Sequence, residues 1–291
     1  MGSKRFEELK KIITKEMNVL NICNYYNNKY ERVIISDANI SNIYSISKNI
    51  TSLCIGILID WKLLSLDKDV SSLFINNYPE AISYKGVTIR DVLHQVTGIK
   101  HGFLDVDVED VNKFEDDDYL NIIFKKGLFY NDKVHFVYSD SNYYLLGRIV
   151  ELVSGTSLKE FVINNIFKPL EIHKYNFYVD PLGKTLGATG VLLDSVSVAK
   201  IGILFLKNGK YNSIQIVSKE YIEQSKKDIV DVNDEYSYGY SLWINKNNNR
   251  CQGNGMLGQF FFLYDDEIIS IVSKDTNNLL EPVKKFLMEG K

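Results

Sequence analysis

The sequence predicts an α+β fold, in which an antiparallel sheet built from both chain termini is flanked by helices and carries an inserted, mostly helical lobe. Two observations support this prediction. Strand patterns occur near the start of the chain and return after residue 240, while helical spacings dominate the middle. With 291 residues, 45% of them hydrophobic, the chain suits a single domain 1–291, with a sheet lobe at about 1–65 and 231–291 and a helical lobe at about 66–230.

The first 65 residues contain four predicted elements. The segment 1–17 has the pattern of a charged amphipathic helix, and 19–26 and 30–36 are strand-like runs joined by Asn27-Asn28-Lys29 as a hairpin. Apolar residues at helical spacing over 45–61 then predict a helix buried on most sides. Polar residues interrupt the most apolar stretch, 50–64, which is therefore too short and too polar to span a bilayer.

The remaining elements follow from periodicity and from glycine stops. Predicted helices occupy 88–96, 143–153, 157–166 and 195–208. Strand patterns cover 240–245, 259–264 and 267–273, and a final helix covers 278–288. The acidic run 105–118 reads as a solvated loop in preference to a cation site, because like-charged blocks usually face water.

Composition excludes several classes of function. A formal net charge of -3 argues against a nucleic-acid partner, since phosphate binding needs a basic face. The three cysteines are odd in number and widely spaced, and the four histidines show no ligand spacing, so we expect neither a metal site nor a cofactor. The first 17 residues lack the apolar core of a secretory signal, which leaves the location open but favours the cytoplasm.

A Ser-x-x-Lys pattern occurs three times, at Ser45, Ser65 and Ser197. Residues three apart share a helix face, so a serine at a helix start can place its hydroxyl within reach of the lysine amine one turn later. Only Ser45, with Lys48, begins a strongly apolar helix, where free backbone N–H groups can help to bind an oxyanion. The alternative on local grounds is a helix N-cap followed by a surface lysine.

Further motifs favour the catalytic interpretation. The segment Tyr44-Ser45-Ile46-Ser47-Lys48 resembles the nucleophile region of class C β-lactamases, penicillin-binding proteins and related esterases. In the same order along the chain, 63–70, 87–99, 136–147, 238–243 and 255–259 are similar to other segments of that superfamily. The resemblance covers about residues 43 to 272 and implies a β-lactamase/DD-peptidase-like fold.

The resemblance also implies roles for individual residues. Ser45 is the expected nucleophile, Lys48 its proton acceptor or electrostatic partner, and Tyr138 the completing member of the proton relay. The backbone N–H groups of Ser45 and Gln259 are the expected oxyanion donors, and Gly258 keeps the glycine of the third family element. From its residue type alone, Tyr138, one of nineteen tyrosines, reads as a packing residue.

Two positions depart from the family pattern. Asp140 stands where the Y-x-N asparagine is expected, and an ionised aspartate only accepts hydrogen bonds and favours a charged Lys48. That shifts the general-base role toward Tyr138. Met256 stands where a lysine or histidine is expected, so the carboxylate of a β-lactam or D-Ala-D-Ala peptide loses a contact worth roughly 1.5 to 3 kcal/mol.

These observations predict a serine hydrolase that forms an acyl-enzyme at Ser45 with a small-molecule or short-peptide ester, amide or β-lactam. Asp140 and Met256 keep a second interpretation open, a catalytically weakened homologue that acts as a ligand-binding or interaction module. A third interpretation, an α/β protein whose motif matches are accidental, requires every match to fall in order by chance.

Overall fold

A computed structural model describes residues 2–37, 39–130 and 133–289. It confirms the predicted α+β fold: eight antiparallel strands form one sheet in the order β2-β1-β13-β12-β11-β10-β9-β8. The strands are β1 Val19–Tyr26, β2 Lys29–Ile34, β3 Ser41–Asn42, β4 Asn176–Phe177, β5 Val191–Leu193, β6 Lys210–Tyr211, β7 Ile214–Gln215, β8 Val230–Asp231, β9 Tyr236–Tyr238, β10 Trp243–Asn245, β11 Cys251–Gly255, β12 Gln259–Leu263 and β13 Glu267–Ser273.

Helices cover both faces of this sheet and fill the middle of the chain. The α-helices are α1 Lys4–Ile12, α2 Ser47–Asp60, α3 Ser71–Phe74, α4 Ile89–Leu93, α5 Tyr119–Lys126, α6 Asp140–Ser154, α7 Leu158–Val162, α8 Ser195–Leu206, α9 Lys219–Lys227 and α10 Glu281–Glu289. A π-helix, Ile163–Phe167, continues α7, and 3₁₀ turns include Tyr44–Ile46 and Met256–Gly258. No described helix combines the length and the apolar character needed to cross a membrane.

The sheet joins the two ends of the chain because β1 lies between β2 and β13. The predicted hairpin is present, with a turn of two residues, since Lys29 already pairs with Tyr26. Asn27 and Asn28 both have positive φ, 51° and 58°, the left-handed conformation that tight hairpin turns need and asparagine tolerates. Strand β13 matches its predicted range, 267–273.

Helix α2 runs through the interior and is buried over 47–58. Its polar side chains are satisfied by neighbouring loops: Thr51 donates to the carbonyl of Gly187 at 2.7 Å, and Asn49 donates to the carbonyl of Ser241 at 2.8 Å. Buried polar groups that find partners cost little. Helix α6 packs against α2, which brings the start of α6 to the Ser45 end of α2.

Several boundaries differ from the predictions for local reasons. The strand expected at 240–245 begins only at Trp243, because Gly239 N bonds the carbonyl of Leu242 in a turn that separates β9 from β10. The helix expected at 143–153 begins earlier, at Asp140, where Ser139 caps it. Helix α8 lies in the stretch assigned to the helical lobe, but it packs on β1, β12 and β13 of the sheet.

Candidate active site

A cleft of about 280 Å³ lies where the turn Tyr44–Ile46, the loop after residue 104, the start of α6 and the end of β11 meet. Five of its lining residues come from positions that the sequence singled out or flanked: Ser45, Tyr138, Asp140, Gly255 and Met256. The cleft therefore gathers residues that are separated by about two hundred positions in the chain.

Ser45 and Lys48 form the contact that their spacing predicts. Lys48 Nζ lies 2.9 Å from Ser45 Oγ and donates a hydrogen bond to it. Nζ also donates to the carbonyl of Ala188 at 3.2 Å, which fixes the amine from the opposite side. The Lys48 side chain is 1% exposed, so this is a buried lysine and not the surface lysine of the alternative interpretation.

Asp140 is the charged partner of Lys48. Its Oδ1 lies 2.6 Å from Lys48 Nζ, and both side chains are buried. Burial alone lowers the pKa of Lys48, but the charge of Asp140, together with hydrogen bonding to Asp140 and Tyr138, outweighs burial and holds the pKa above its ordinary value. Lys48 is therefore an ammonium ion in the resting protein, as the aspartate at this position led us to expect.

Tyr138 stands over the same ammonium. Lys48 Nζ lies 4.8 Å from the centre of the Tyr138 ring. Rings from the sheet hold the tyrosine in place, with the centres of Tyr238 at 6.1 Å and Trp243 at 5.6 Å. A Cβ added at Gly102 would lie 2.5 Å from the carbonyl oxygen of Tyr138, so a glycine is needed for this close approach to the Tyr138 backbone.

The turn that carries Ser45 is shaped by the residue before it. Tyr44 has a φ of 47°, a left-handed conformation that is uncommon for a side chain of this size. Asn42 stabilises this conformation, because its Oδ1 accepts hydrogen bonds from Tyr44 N at 2.9 Å and from Gly190 N at 3.2 Å. Backbone strain of this kind is concentrated at functional sites.

Strand β11 presents a free edge to this turn. Strand β10 pairs with β11 only at Cys251 and Gln252 and leaves residues 253–255 uncovered. Backbone groups alternate between the two edges of an antiparallel strand, and the carbonyl of Arg250 bonds Asn245 of β10. By this alternation the N–H of Asn254, four residues after Arg250, points to the free edge.

Gly255 brings the end of β11 against the Ser45 turn. A Cβ on this residue would collide with the carbonyl oxygen of Ile43, two residues before Ser45. Only a glycine allows the strand and the turn to approach so closely. This close approach sets the width of the cleft on the β11 side.

Two of the predicted site residues lie outside the cleft. Gln259 is fully buried, and its side chain bonds both backbone groups of Ser273 on β13. A Cβ on Gly258 would meet Leu280 and Ser273, on the far side of the sheet. Neither residue lines the cleft, because Met256–Gly258 is a 3₁₀ turn between β11 and β12 and the cleft-facing edge belongs to β11. Met256 is 40% exposed and lines the cleft.

The expectation that the acidic run 105–118 is a solvated loop is correct only in part. It forms a loop, but Asp105 and Asp107 are half-buried and line the cleft beside Asp140. Asp107 accepts hydrogen bonds from Asn42 and Thr189. Burial, and next the charge of Asp140, raise the pKa of Asp105, and burial likewise raises that of Asp107. The sequence signal for these residues was the acidic run itself, but its spacing does not show which carboxylates turn inward.

The other two Ser-x-x-Lys matches make no such site. Ser65 lies in a loop after α2, where no helix holds Lys68 beside it. Lys200, which follows Ser197 in α8, donates to the carbonyl of Glu171 instead. The position of Ser45 at the start of a buried helix therefore distinguishes it from the other two Ser-x-x-Lys serines, as its apolar surroundings in the sequence predicted.

Comparison with known proteins identifies a family and a curated relative. The Beta-lactamase family model matches residues 27–272. Penicillin-binding protein 4* of Bacillus subtilis (strain 168) is 27% identical over 138 residues, which are 46% of this chain and 30% of that protein. The chain therefore spans less than a third of this curated relative.

Solved structures show the same fold. A putative 6-aminohexanoate-dimer hydrolase from Bacillus anthracis superposes with a TM-score of 0.80 at 17% identity, over 96% of this chain and 80% of that one. The octameric penicillin-binding protein homologue from Pyrococcus abyssi superposes with a TM-score of 0.77 at 21% identity, over 98% of this chain and 78% of that one.

Proposed function

The chain belongs to the Beta-lactamase family, and from this premise we propose that it is a serine hydrolase that forms an acyl-enzyme at Ser45 with an ester or amide substrate. The observation that carries the proposal is the 2.9 Å contact between Ser45 Oγ and a buried Lys48, inside a cleft open to solvent. A serine hydroxyl needs such a neighbour, because it is a weak nucleophile on its own.

Lys48 acts as an electrostatic partner in this proposal. It is already protonated and paired with Asp140, so it cannot take the serine proton in the resting state. Its N–H instead points at Ser45 Oγ and stabilises the negative charge that develops there as the oxygen attacks a carbonyl carbon. Asp140 keeps Lys48 charged through this step.

Tyr138 is the proposed proton acceptor. Its ring lies 4.8 Å from Lys48 Nζ, and it lines the cleft beside Ser45. In acylation the Tyr138 oxygen accepts the proton of Ser45 while the hydroxyl proton of Tyr138 passes to the leaving group, as the carbonyl–heteroatom bond breaks. In deacylation the Tyr138 oxygen accepts a proton from the attacking water while the hydroxyl proton of Tyr138 passes to the Ser45 oxygen, as the acyl–oxygen bond breaks.

The oxyanion would be bound by backbone N–H groups on opposite sides of the cleft. Ser45 lies in the first turn of a helical segment, where N–H groups have no intrahelical acceptor. The N–H of Asn254, on the free edge of β11, replaces the donor first expected at Gln259. Two such donors stabilise the tetrahedral intermediate of acyl transfer.

The lining of the cleft favours substrates without a carboxylate. Among the described lining residues there is no arginine, lysine or histidine, and Met256 occupies the rim where the family pattern has a cation. A β-lactam would meet Asp105, Asp107 and Asp140 instead of a positive charge. We therefore propose an ester or amide as the substrate and slow reaction with penicillins.

The test is the hydrolysis of p-nitrophenyl acetate and p-nitrophenyl hexanoate by the purified chain and by Ser45→Ala. We expect the Ser45→Ala protein to lose the activity above background, while the control Ser65→Ala, which changes another Ser-x-x-Lys serine, retains it. If Ser45→Ala hydrolyses these esters as fast as the parent protein, the nucleophile is wrongly assigned.

A second candidate is a ligand-binding or interaction module without turnover. The observation that favours it is the Lys48–Asp140 ion pair, since a lysine locked as an ammonium cannot act as a base. Labelling with a fluorophosphonate and with a fluorescent penicillin separates the two candidates. A hydrolase is labelled at Ser45 by at least one probe, whereas a binding module reacts with neither.

A further inference from the structure

Tyr138 lies in a stretch of chain that belongs to no helix or strand. Residues 134–139 have no regular secondary structure, and α6 begins only at Asp140. The proposed proton transfer needs the Tyr138 hydroxyl within hydrogen-bond reach of Ser45, and a displacement of about 1 Å can lower a catalytic rate by about a hundredfold. Contacts from outside this stretch must therefore fix Tyr138.

One residue, Gln95, bonds the backbone on both sides of Tyr138. The backbone carbonyl of Gln95 accepts a hydrogen bond from Val137 N at 2.9 Å. Its side-chain oxygen, Oε1, accepts another from Ser139 N, also at 2.9 Å. These two bonds hold the residues before and after Tyr138. Gln95 does not line the cleft, so it acts on the reacting groups only through the segment that it holds.

The side-chain amide of Gln95 is itself fixed by its neighbours. Asn142 Nδ2 donates to the same Oε1 atom at 2.8 Å, and Thr97 Oγ1 donates to Asn142 Oδ1 at 3.2 Å. Because two N–H donors face one atom of the amide, that atom must be the carbonyl oxygen. Gln95, Thr97 and Asn142 are each at most 2% exposed, so solvent does not compete for these bonds.

The backbone at position 95 gives no local reason for a glutamine. Gln95 has a φ of 62° and follows His94, the residue that caps the end of α4. A residue with this left-handed conformation often ends a helix, and it is usually glycine and sometimes asparagine. A long polar side chain that is fully buried there is costly unless it forms hydrogen bonds. The bonds to Ser139 and Asn142 therefore account for the glutamine.

We propose that Gln95 is a positioning residue for acyl transfer: its side-chain oxygen fixes Ser139, and thereby holds the Tyr138 hydroxyl where it can accept the proton of Ser45. This role rests on the proposed hydrolase function and on Tyr138 as the proton acceptor, and it extends the machinery to a residue outside the cleft. Without the bond to Ser139, the Tyr138 hydroxyl spends less time within reach of Ser45, so the attack of Ser45 slows.

The test measures how fast Ser45 reacts with a fluorophosphonate probe. In a single-turnover experiment the amplitude of labelling counts the folded molecules, whereas the rate constant reports the geometry of the site. A loss of folded protein therefore does not imitate a loss of positioning. Gln95→Met nearly keeps the size of the side chain but removes the acceptor, and it should lower the rate constant, and kcat for p-nitrophenyl acetate, by about tenfold to a hundredfold.

A second variant and a matched control accompany Gln95→Met. Gln95→Asn tolerates the left-handed backbone, but its amide is one methylene group too short to reach Ser139 N, so it should show a similar loss. The control Asn21→Leu removes the same kind of bond far from the cleft. Asn21 is fully buried, and its Oδ1 accepts from Ser195 N at 2.8 Å, at the start of α8. This control should leave the rate constant unchanged, even where it lowers the amplitude.

A double-mutant cycle with Tyr138→Phe identifies the group through which Gln95 acts. If Gln95 acts through the Tyr138 hydroxyl, Gln95→Met should cost little once that hydroxyl is gone. The double variant should then be labelled about as slowly as Tyr138→Phe alone. Labelling can be followed over hours, so these slow rate constants are measurable.

The outcomes separate the role of Gln95 from the proposed function. If Ser45 is labelled and either Gln95 variant keeps the parent rate constant, Gln95 is not a positioning residue and the hydrolase assignment stands. An equal loss in Asn21→Leu, or a loss of the same factor with and without the Tyr138 hydroxyl, also overturns the proposal. If the parent protein shows neither labelling nor ester hydrolysis above the Ser45→Ala background, the hydrolase assignment fails, and the role of Gln95 fails with it.

Discussion

Replacing Asp140 by asparagine removes the negative charge that compensates the buried ammonium of Lys48, while it keeps the size of the side chain. Removing one partner of a buried ion pair typically costs about 3 to 5 kcal/mol of folding free energy, because the other charge stays buried and unpaired. Both side chains of this pair are at least nine-tenths buried, so solvent screens the charges little. We expect Asp140→Asn to unfold at a clearly lower urea concentration than the parent protein at pH 7.

The folding free energy that Asp140→Asn can lose has an upper limit, or ceiling, that depends on pH. An unpaired Lys48 can lose its proton, and from an ordinary pKa of 10.5 this costs about 1.4 kcal/mol for each pH unit, or about 5 kcal/mol at pH 7. At pH 9.5 the ceiling falls to about 1.4 kcal/mol. The loss should therefore shrink as pH rises.

The parent protein and Asp140→Asn depend on pH differently because the pKa of Lys48 is shifted in opposite directions in the two proteins. In the parent protein the pKa of Lys48 lies above its ordinary value, so the stability from the pair is fully present below about pH 10.5 and is lost only at higher pH. In Asp140→Asn burial is left as the dominant influence and lowers this pKa, so the variant loses stability as pH falls below the ordinary value.

The assay is urea unfolding of both proteins at pH 7 and pH 9.5, followed by circular dichroism and fitted with a common slope. The control is Glu223→Gln, which breaks exposed pairs with Lys219 and Lys227 and should leave the urea midpoint almost unchanged at either pH, because solvent screens exposed charges. A loss for Asp140→Asn that is the same at both pH values, or no greater than that of the control, would refute the reasoning.

Three further predictions concern the cleft. Tyr138→Phe keeps the ring over Lys48 but removes the hydroxyl, so kcat for p-nitrophenyl acetate should fall by about 10² to 10⁴; an unchanged kcat would exclude Tyr138 as the proton acceptor. Gly255→Ala places a methyl group against the carbonyl of Ile43 and should cost about 1 to 3 kcal/mol in thermal unfolding and most of the activity. Gly202→Ala, whose new Cβ has ordinary contacts near 3.4 Å, should retain both. Met256→Lys supplies a cation at the rim and should label about tenfold faster with a fluorescent penicillin than Met256→Leu, and equal rates would contradict the role given to position 256.

The sequence was sufficient where structure depends on local spacing. The hairpin of β1 and β2, the buried helix α2 and the strand β13 follow from periodicities of about two and 3.6 residues, which act within a few turns of chain. The contact between Ser45 and Lys48 belongs to the same class, because residues three apart in a helix are neighbours. The fold class followed from the order of these elements, and the family comparison supports it.

The tertiary structure decided everything that depends on how distant segments meet. Asp140 and Lys48 are 92 positions apart in the chain. The effect of Asp140 on Lys48 could therefore be anticipated only through a family resemblance, and the 2.6 Å contact between them could not be anticipated at all. Asn254 lines the cleft and Gln259 does not, because β11 ends at Gly255 and a 3₁₀ turn follows it. The sequence pattern does not fix such a boundary to the residue, and a shift of one residue moves a side chain to the other face of a sheet. Asp105 and Asp107 looked like ordinary solvated acids until the fold placed them beside Ser45, because charge along a chain does not reveal which carboxylates turn inward.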